Sequence, residues 1–283
     1  MMKRSSVVGA AAAATTLICA NALAQPNFQP QPLELTRVQD DLYVISNSQS
    51  GNVTVLVGGE GVLIIDDKFE FDYDNIVETI ATITDQPVRY VINTHYHQDH
   101  SGGNAQMQAA SAIVFASENA RLKLIEDDRG GLPNVTLQDR LRIHFGGEPV
   151  DLYYFGRSHT DGDIVIHLPE RDLVVMGDMF ASYEPFAQLI HYAAGGSARE
   201  WTRSLDKVLG LDFATVIPGH SPPTDRAMLE AYRDVTARTA QTVLELNRQD
   251  RSKDEIAAVL RNEFGWGEFF LNLGLDGIVA EMQ

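Results

Sequence analysis

The sequence predicts a mixed α/β fold, and three observations lead to it. Short apolar runs rich in β-branched residues recur along the chain, separated by Gly, Asn and Asp. Helical stripes, with apolar residues three and four apart, lie between several of these runs. Four runs stop at a histidine or an aspartate, which is where sites on mixed α/β scaffolds collect. The length, 283 residues, suits one large domain with a substantial core.

The elements follow in order. Residues 1–24 have the form of an export signal. Met1-Met2-Lys3-Arg4 is the charged start, and residues 7–20 are an apolar run too short to span a bilayer comfortably. Asn21-Ala22-Leu23-Ala24 offers a cleavage site before Gln25. The mature protein is therefore expected in the periplasm or outside the cell, free of the membrane after cleavage. Residues 25–34, with Pro26, Pro30 and Pro32, read as a flexible leader, and residues 35–283 as the folded domain. Strands are predicted at 42–45, 53–57 and 62–65, with Gly51-Asn52 and Gly58-Gly59-Glu60-Gly61 as turns of an antiparallel meander. Ile76, Ile80 and Ile83 stripe a helix over 73–83, and residues 88–92 form the next strand.

Beyond it, residues 105–110 read as a helix and 113–115 as a short strand, and Ser117 caps a helix over 118–125. Residues 127–133 form a charged loop, and strands follow at 141–145, 150–155, 164–168 and 173–176. The stretch 183–196 has no clear period. Ser197 and Glu200 form a capping box that opens a helix to Leu209, and residues 214–217 are a strand. Met228, Leu229, Tyr232, Val235, Thr239, Val243 and Leu246 stripe a long helix, and Ser252 with Glu255 caps another. The aromatic, apolar end, residues 265–283, is expected to dock on the body.

Composition narrows the function. The net charge is −17, and loss of Lys3 and Arg4 with the signal makes it two units more negative. Such a chain is a poor ligand for a nucleic-acid backbone or an anionic membrane surface. The one cysteine, Cys19, lies within the signal. The mature chain thus has no disulfide, no thiolate ligand and no cysteine nucleophile.

The densest group of reactive side chains is Thr94-His95-Tyr96-His97-Gln98-Asp99-His100-Ser101-Gly102-Gly103. A strand precedes it and a helix follows. In extended backbone, residues two apart point to one side, so His95 and His97 can converge. Asp99 and His100 lie past the turn and can aim at a second point nearby. Imidazole and carboxylate are ligands that zinc takes in open catalytic sites. Three further strand ends carry His159, Asp178 and His220. Alone, Gly177-Asp178 or Pro218-Gly219-His220 reads as a turn; in this order behind the first cluster, they read as ligands. His144 and His167 sit within strand runs as packing or surface residues. His191 shares the irregular stretch with Tyr183, Phe186 and Tyr192, which either line a pocket or pack the loop.

The motif order resembles the metallo-β-lactamase superfamily over roughly residues 35–225. The family's strand-ending Asp matches Asp66, and its H-x-H-x-D-H matches His95, His97, Asp99 and His100. Its later ligands match His159, Asp178 and His220. The resemblance implies a four-layer αβ/βα sandwich with two Zn2+ ions per chain. His95, His97 and His159 would hold one ion. Asp99, His100 and His220 would hold the other, with Asp178 bridging.

Asp66 would fix an imidazole from behind, and Asp99 would also orient the attacking water. Such a pair acidifies water, polarises a carbonyl and steadies a leaving group, so no Ser or Cys nucleophile is required. The implied activity is hydrolysis of a small-molecule ester, lactone or thioester. The family's β-lactamases usually place Cys or Ser at or near the bridging position, which makes β-lactams the second choice. An iron-dependent persulfide dioxygenase and a non-catalytic metal-binding protein are further alternatives.

Overall fold

The computed structural model describes residues 29–182 and 186–283. The expected signal, the first part of the leader and Tyr183 lie outside the described residues. Two sheets form the centre. The first runs β1 (Glu34–Gln39), β2 (Leu42–Ser46), β3 (Val53–Gly58), β4 (Gly61–Ile65), β5 (Val88–Ile92), β6 (Ile113–Ser117) and β7 (Val135–Leu137), in that spatial order. β1 to β4 are an antiparallel meander, and β4 to β7 are parallel. The second sheet contains β8 (Arg140–Phe145), β9 (Glu148–Tyr153), β10 (Val165–Leu168), β11 (Leu173–Gly177), β12 (Thr215–Pro218) and β13 (Thr224–Asp225). Only its β11–β12 pair is parallel.

Each layer follows from the two-residue period of a strand. In β4, Leu63 and Ile65 face the second sheet, where they meet Ile164, Ile166, Leu173, Val175 and Ile217. Val62 and Ile64 face the other way, onto Ile76 and Ile80 of α1 (Tyr73–Ala81) and Met107 of α3 (Asn104–Ala109). α2 (Gln98–Ser101) lies just before α3, and α4 (Glu118–Glu126) follows β6. On the second sheet Val174 and Met176 turn outward onto Trp201 and Leu205 of α5 (Ala198–Leu209). The same core takes in α6 (Arg226–Arg248), α7 (Lys253–Phe264) and α8 (Glu268–Glu281). Strands buried on both faces explain why β4 and β11 are apolar without alternation. The order helix, sheet, sheet, helix is the four-layer αβ/βα sandwich expected. No helix among the described residues is long and apolar enough to cross a membrane.

The expected elements are present, and the apolar end expected to dock is itself a helix, α8; four further elements are additions. β1, β7 and β13 are edge strands, and α2 is a single turn formed by the histidine cluster itself. β1 begins at Glu34, within the expected leader. The expected capping box at Ser197 is half formed. Ser197 Oγ accepts from the Glu200 amide, but the Glu200 carboxylate turns to Arg157 instead. The box at Ser252 is complete.

One buried side chain joins the rims of the two sheets. Asn52 Nδ2 donates to Pro218 O at 2.9 Å and to Ser221 O at 2.8 Å, and Asn52 N donates to Gly219 O at 2.6 Å. These bonds hold the β2–β3 turn against the segment that carries His220. Asn52→Ala leaves two carbonyls without their donor and should cost about 2 kcal/mol in urea unfolding. An unchanged midpoint would mean that the apolar cores alone fix the rims.

Candidate metal centre

The seven ligand candidates come from four strand ends to one rim of the sandwich. His95 and His97 lie in the loop after β5, and Asp99 and His100 lie in α2. His159 follows β9, Asp178 opens a short turn directly after β11, and His220 follows β12. Their donor atoms form two groups. His95, His97, His159 and Asp178 make one; Asp99, His100 and His220 make the other; within each group the atoms lie within 4.8 Å of one another.

The donor geometry fits a cation in each group. In the first, His97 Nδ1 lies 3.0 Å from His95 Nε2 and 2.9 Å from His159 Nε2, and Asp178 Oδ2 lies 3.6 Å from His159 Nε2. In the second, His100 Nε2 lies 3.2 Å from His220 Nε2 and 3.4 Å from Asp99 Oδ2. Asp178 Oδ1 lies 3.4 Å from His100 Nε2 and 3.2 Å from His220 Nε2. Atoms bound at about 2.1 Å around a tetrahedral ion stand roughly 3.4 Å apart. Asp178 turns Oδ2 toward the first group and Oδ1 toward the second.

The outer ring nitrogens set the tautomers. His100 Nδ1 lies 2.7 Å from Asp66 Oδ2, as a donor to that carboxylate. Thr94 donates to Asp66 from both its amide, at 2.7 Å, and its hydroxyl, at 2.8 Å. With its proton committed there, Thr94 Oγ1 accepts from His95 Nδ1 at 3.1 Å. His159 Nδ1 donates to Leu189 O. The inward nitrogens of His95 and His159, both in the first group, are thereby left as bare lone pairs. Converging lone pairs repel one another, and a cation between them removes that repulsion.

Charge follows the same division. Burial, with the nearby histidines, pushes His95 and His97 well below the usual imidazole range. Burial also opposes a charge on His100 and His220, yet the carboxylates around them outweigh it and raise both. Burial works against the Asp178 carboxylate as well, and His220 and His100 hold it well below the usual range. A ligand histidine must give up its inward proton to bind a cation, so metal binding should weaken as pH falls.

Glycines allow the close approach. A Cβ on Gly51 would come within 2.2 Å of His100 Cε1, and one on Gly219 within 2.2 Å of Asp178 Oδ1. Gly177 has φ +50°, and its Cβ would strike the Thr94 side chain. Sequence reasoning missed Thr94, Gly51 and Gly219. Only Thr94, directly before His95, carried a readable signal. His144 is exposed, and His167 is buried with Nε2 at 2.9 Å from Asp212 O, so neither joins the cluster. Phe186 packs toward Tyr232, and the Tyr192 hydroxyl donates to Glu281, so both serve packing. His191 does reach the centre: its Nδ1 lies 2.9 Å from His97 Nε2. A cleft of about 550 Å³ opens beside His220, lined by Ser46, Asn47, Asn52 and Ser221 among others.

A two-sheet sandwich with paired histidine–aspartate groups at one rim defines a class of metal-binding α/β proteins. Within that class the chain belongs to the metallo-beta-lactamase superfamily, whose family model matches residues 48–220. Members of that superfamily are mostly metal-dependent hydrolases. The chain is similar to a metallo-beta-lactamase type 2 of Bacillus sp. (strain 170), 26% identical over 194 residues, covering 66% of this chain and 73% of that protein. It is also similar to the 2,4-dinitroanisole O-demethylase subunit alpha of Nocardioides sp. (strain JS1661), 25% identical over 177 residues, covering 62% of this chain and 53% of that one. The solved metallo-beta-lactamase from Pontibacter korlensis shares the fold, with a TM-score of 0.66 at 22% identity, covering 72% of this chain and 99% of that one.

Two outcomes follow from this geometry. Gly219→Ala should separate Asp178 Oδ1 from the second group, lowering metal content while a far-ultraviolet spectrum stays native. Full metal content in that variant would show that Asp178 is not shared.

The second concerns Lys68, buried behind the site with Nζ donating to Gly51 O at 2.6 Å. Burial lowers its pKa to about 8, against the attraction of Asp72. The folded chain then releases this proton near pH 8 and the unfolded chain near 10.5. Between these values the unfolded state binds more protons, so stability rises with pH. Below pH 8 the whole penalty remains. Relative to Lys68→Met, the metal-free protein should gain at most about 3 kcal/mol across that window. A flat difference would mean that Lys68 stays charged in the fold.

Proposed function

We propose that the protein is a zinc-dependent hydrolase with two ions per chain, acting on small-molecule esters, lactones or thioesters. The observation that carries this reading is Asp178, whose two oxygens face two complete ligand groups. When bound, the zinc pair supplies an acidified water and a Lewis acid toward a carbonyl. The chain's own residues do the rest. Asp99 is held ionised, because His100 and His220 outweigh the effect of its burial. Partly exposed beside the cleft, it can accept a proton from the attacking water and pass it to the leaving group. The cleft beside His220 is lined by neutral polar groups such as Ser46, Asn47 and Ser221 together with the carboxylate of Glu34, a wall that disfavours an anionic substrate. Export, inferred from residues 1–24, would place the substrate outside the cytoplasm.

A second reading is β-lactamase, favoured by the similarity to metallo-beta-lactamases of type 2. Asp178 argues against it. A carboxylate occupying that coordination position adds charge and removes an open site for the leaving nitrogen of a lactam. The demethylase relative shows that this level of similarity extends to a protein named for another reaction.

Elemental analysis should find two zinc ions per chain. On that preparation kcat/KM should be higher for an aryl ester or lactone than for a chromogenic cephalosporin. Asp178→Ser should lower ester hydrolysis and raise the ratio of lactam to ester turnover. Efficient cephalosporin turnover with negligible ester hydrolysis would assign a β-lactamase. One iron and no zinc would assign the dioxygenase class.

A further inference from the structure

The loop over residues 186–196 supplies no ligand, yet it touches two histidines of the first group. Leu189 O accepts from His159 Nδ1, His191 N donates to His159 O at 2.9 Å, and His191 Nδ1 lies 2.9 Å from His97 Nε2. This last contact has one direction compatible with metal. If His191 donated, His97 would accept at Nε2 and carry its proton on Nδ1, the atom facing His95 and His159. A proton there blocks a ligand. His97 must therefore donate and His191 accept.

Something must hold His191 in place, and the contacts lead to the C-terminal helix. The ring of the next residue, Tyr192, lies against Gly277 of α8, where a Cβ would come within 2.1 Å of it. The Tyr192 hydroxyl donates to Glu281 Oε2 at 2.8 Å, and Ser197 Oγ donates to Glu281 Oε1 at 2.5 Å. Arg199 donates to the Glu281 carbonyl. Glu281 thus clamps both ends of the segment that follows His191. This helix lies beyond residues 48–220, the part matched by the family model.

We propose that His191 is a positioning residue for the first metal site, held by the C-terminal helix through Glu281 and Tyr192. The inference rests on reading the cluster as a metal centre. The full-length chain would be titrated with zinc against a chromophoric chelator, and with one equivalent of Co2+ followed by absorption. His191→Leu removes the acceptor, His191→Gln keeps a side-chain carbonyl that can accept, and Tyr192→Phe removes only the hydroxyl that reaches Glu281.

In His191→Leu, the site that His95→Ala abolishes should bind zinc on the order of tenfold to a hundredfold more weakly. Its cobalt bands should shift, and the other site should keep its affinity. His191→Gln should restore most of the loss. Tyr192→Phe should fall between, with faster amide exchange over residues 186–196. Unchanged affinity and spectra in His191→Leu would overturn the proposal, as would a loss that His191→Gln does not rescue. A normal Tyr192→Phe beside a weakened His191→Leu would overturn the role of the helix. Should the unaltered chain bind no zinc, the metal-centre reading itself fails and takes this inference with it.

Discussion

The placement of one proton on each cluster histidine is the constraint on which the rest of the site depends. An imidazole can offer a lone pair inward only if its proton is held outward. Asp66 controls this for two rings. It accepts directly from His100, and it fixes the Thr94 hydroxyl so that Thr94 can only accept from His95. One carboxylate therefore prepares one histidine in each ligand group. Asp66 has φ +63° at the end of β4, a conformation that costs an ordinary residue roughly 1 kcal/mol or more. The two Thr94 bonds and the His100 bond offset that cost. They also explain why the strand must stop where it does.

The fold supplies the precision that such an arrangement needs. Donor atoms must be held within about half an ångström, which strands buried on both faces do better than free loops. β5, β11 and β12 all deliver their ligands within a few residues of a fully buried strand end. Asn52 then ties one sheet's rim to the other's, where no strand pairing among the described residues joins them. The shared contacts of Asp178 depend on both sheets. Its own strand belongs to the second, and His100 follows β5 of the first.

The sequence made the central strands and the ligand set legible for one reason: both are local. An apolar run ending in a polar ligand is visible in ten residues, and so is H-x-H-x-D-H. The edge strands were not legible. β1 is ELTRVQ, with no fully buried residue, while β7 and β13 have three and two residues. An edge strand borrows its order from one neighbour and needs no apolar alternation of its own. The Ser197 box failed for a tertiary reason, since Arg157 offers Glu200 a charged partner that the Ser197 amide cannot match. His191 was placed near a possible pocket by its loop alone. Its contact with His97 joins residues 94 positions apart, and no local period encodes such a meeting.

Ligand set and substrate are decided by different parts of the chain. The seven side chains determine that a metal centre can form, and they lie within the family-matched segment. The walls of the approach come partly from outside it. Glu34 and Thr36 of β1 and Pro222 and Pro223 after β12 line the cleft beside His220, and all four fall outside residues 48–220. α8 reaches the loop behind His97 from the other side. A low-identity relative can therefore share the metal chemistry while differing in what it admits. The physical basis is that metal ligands tolerate almost no displacement, whereas a cleft wall of Ser, Asn and Pro can change one side chain at a time without moving a strand end.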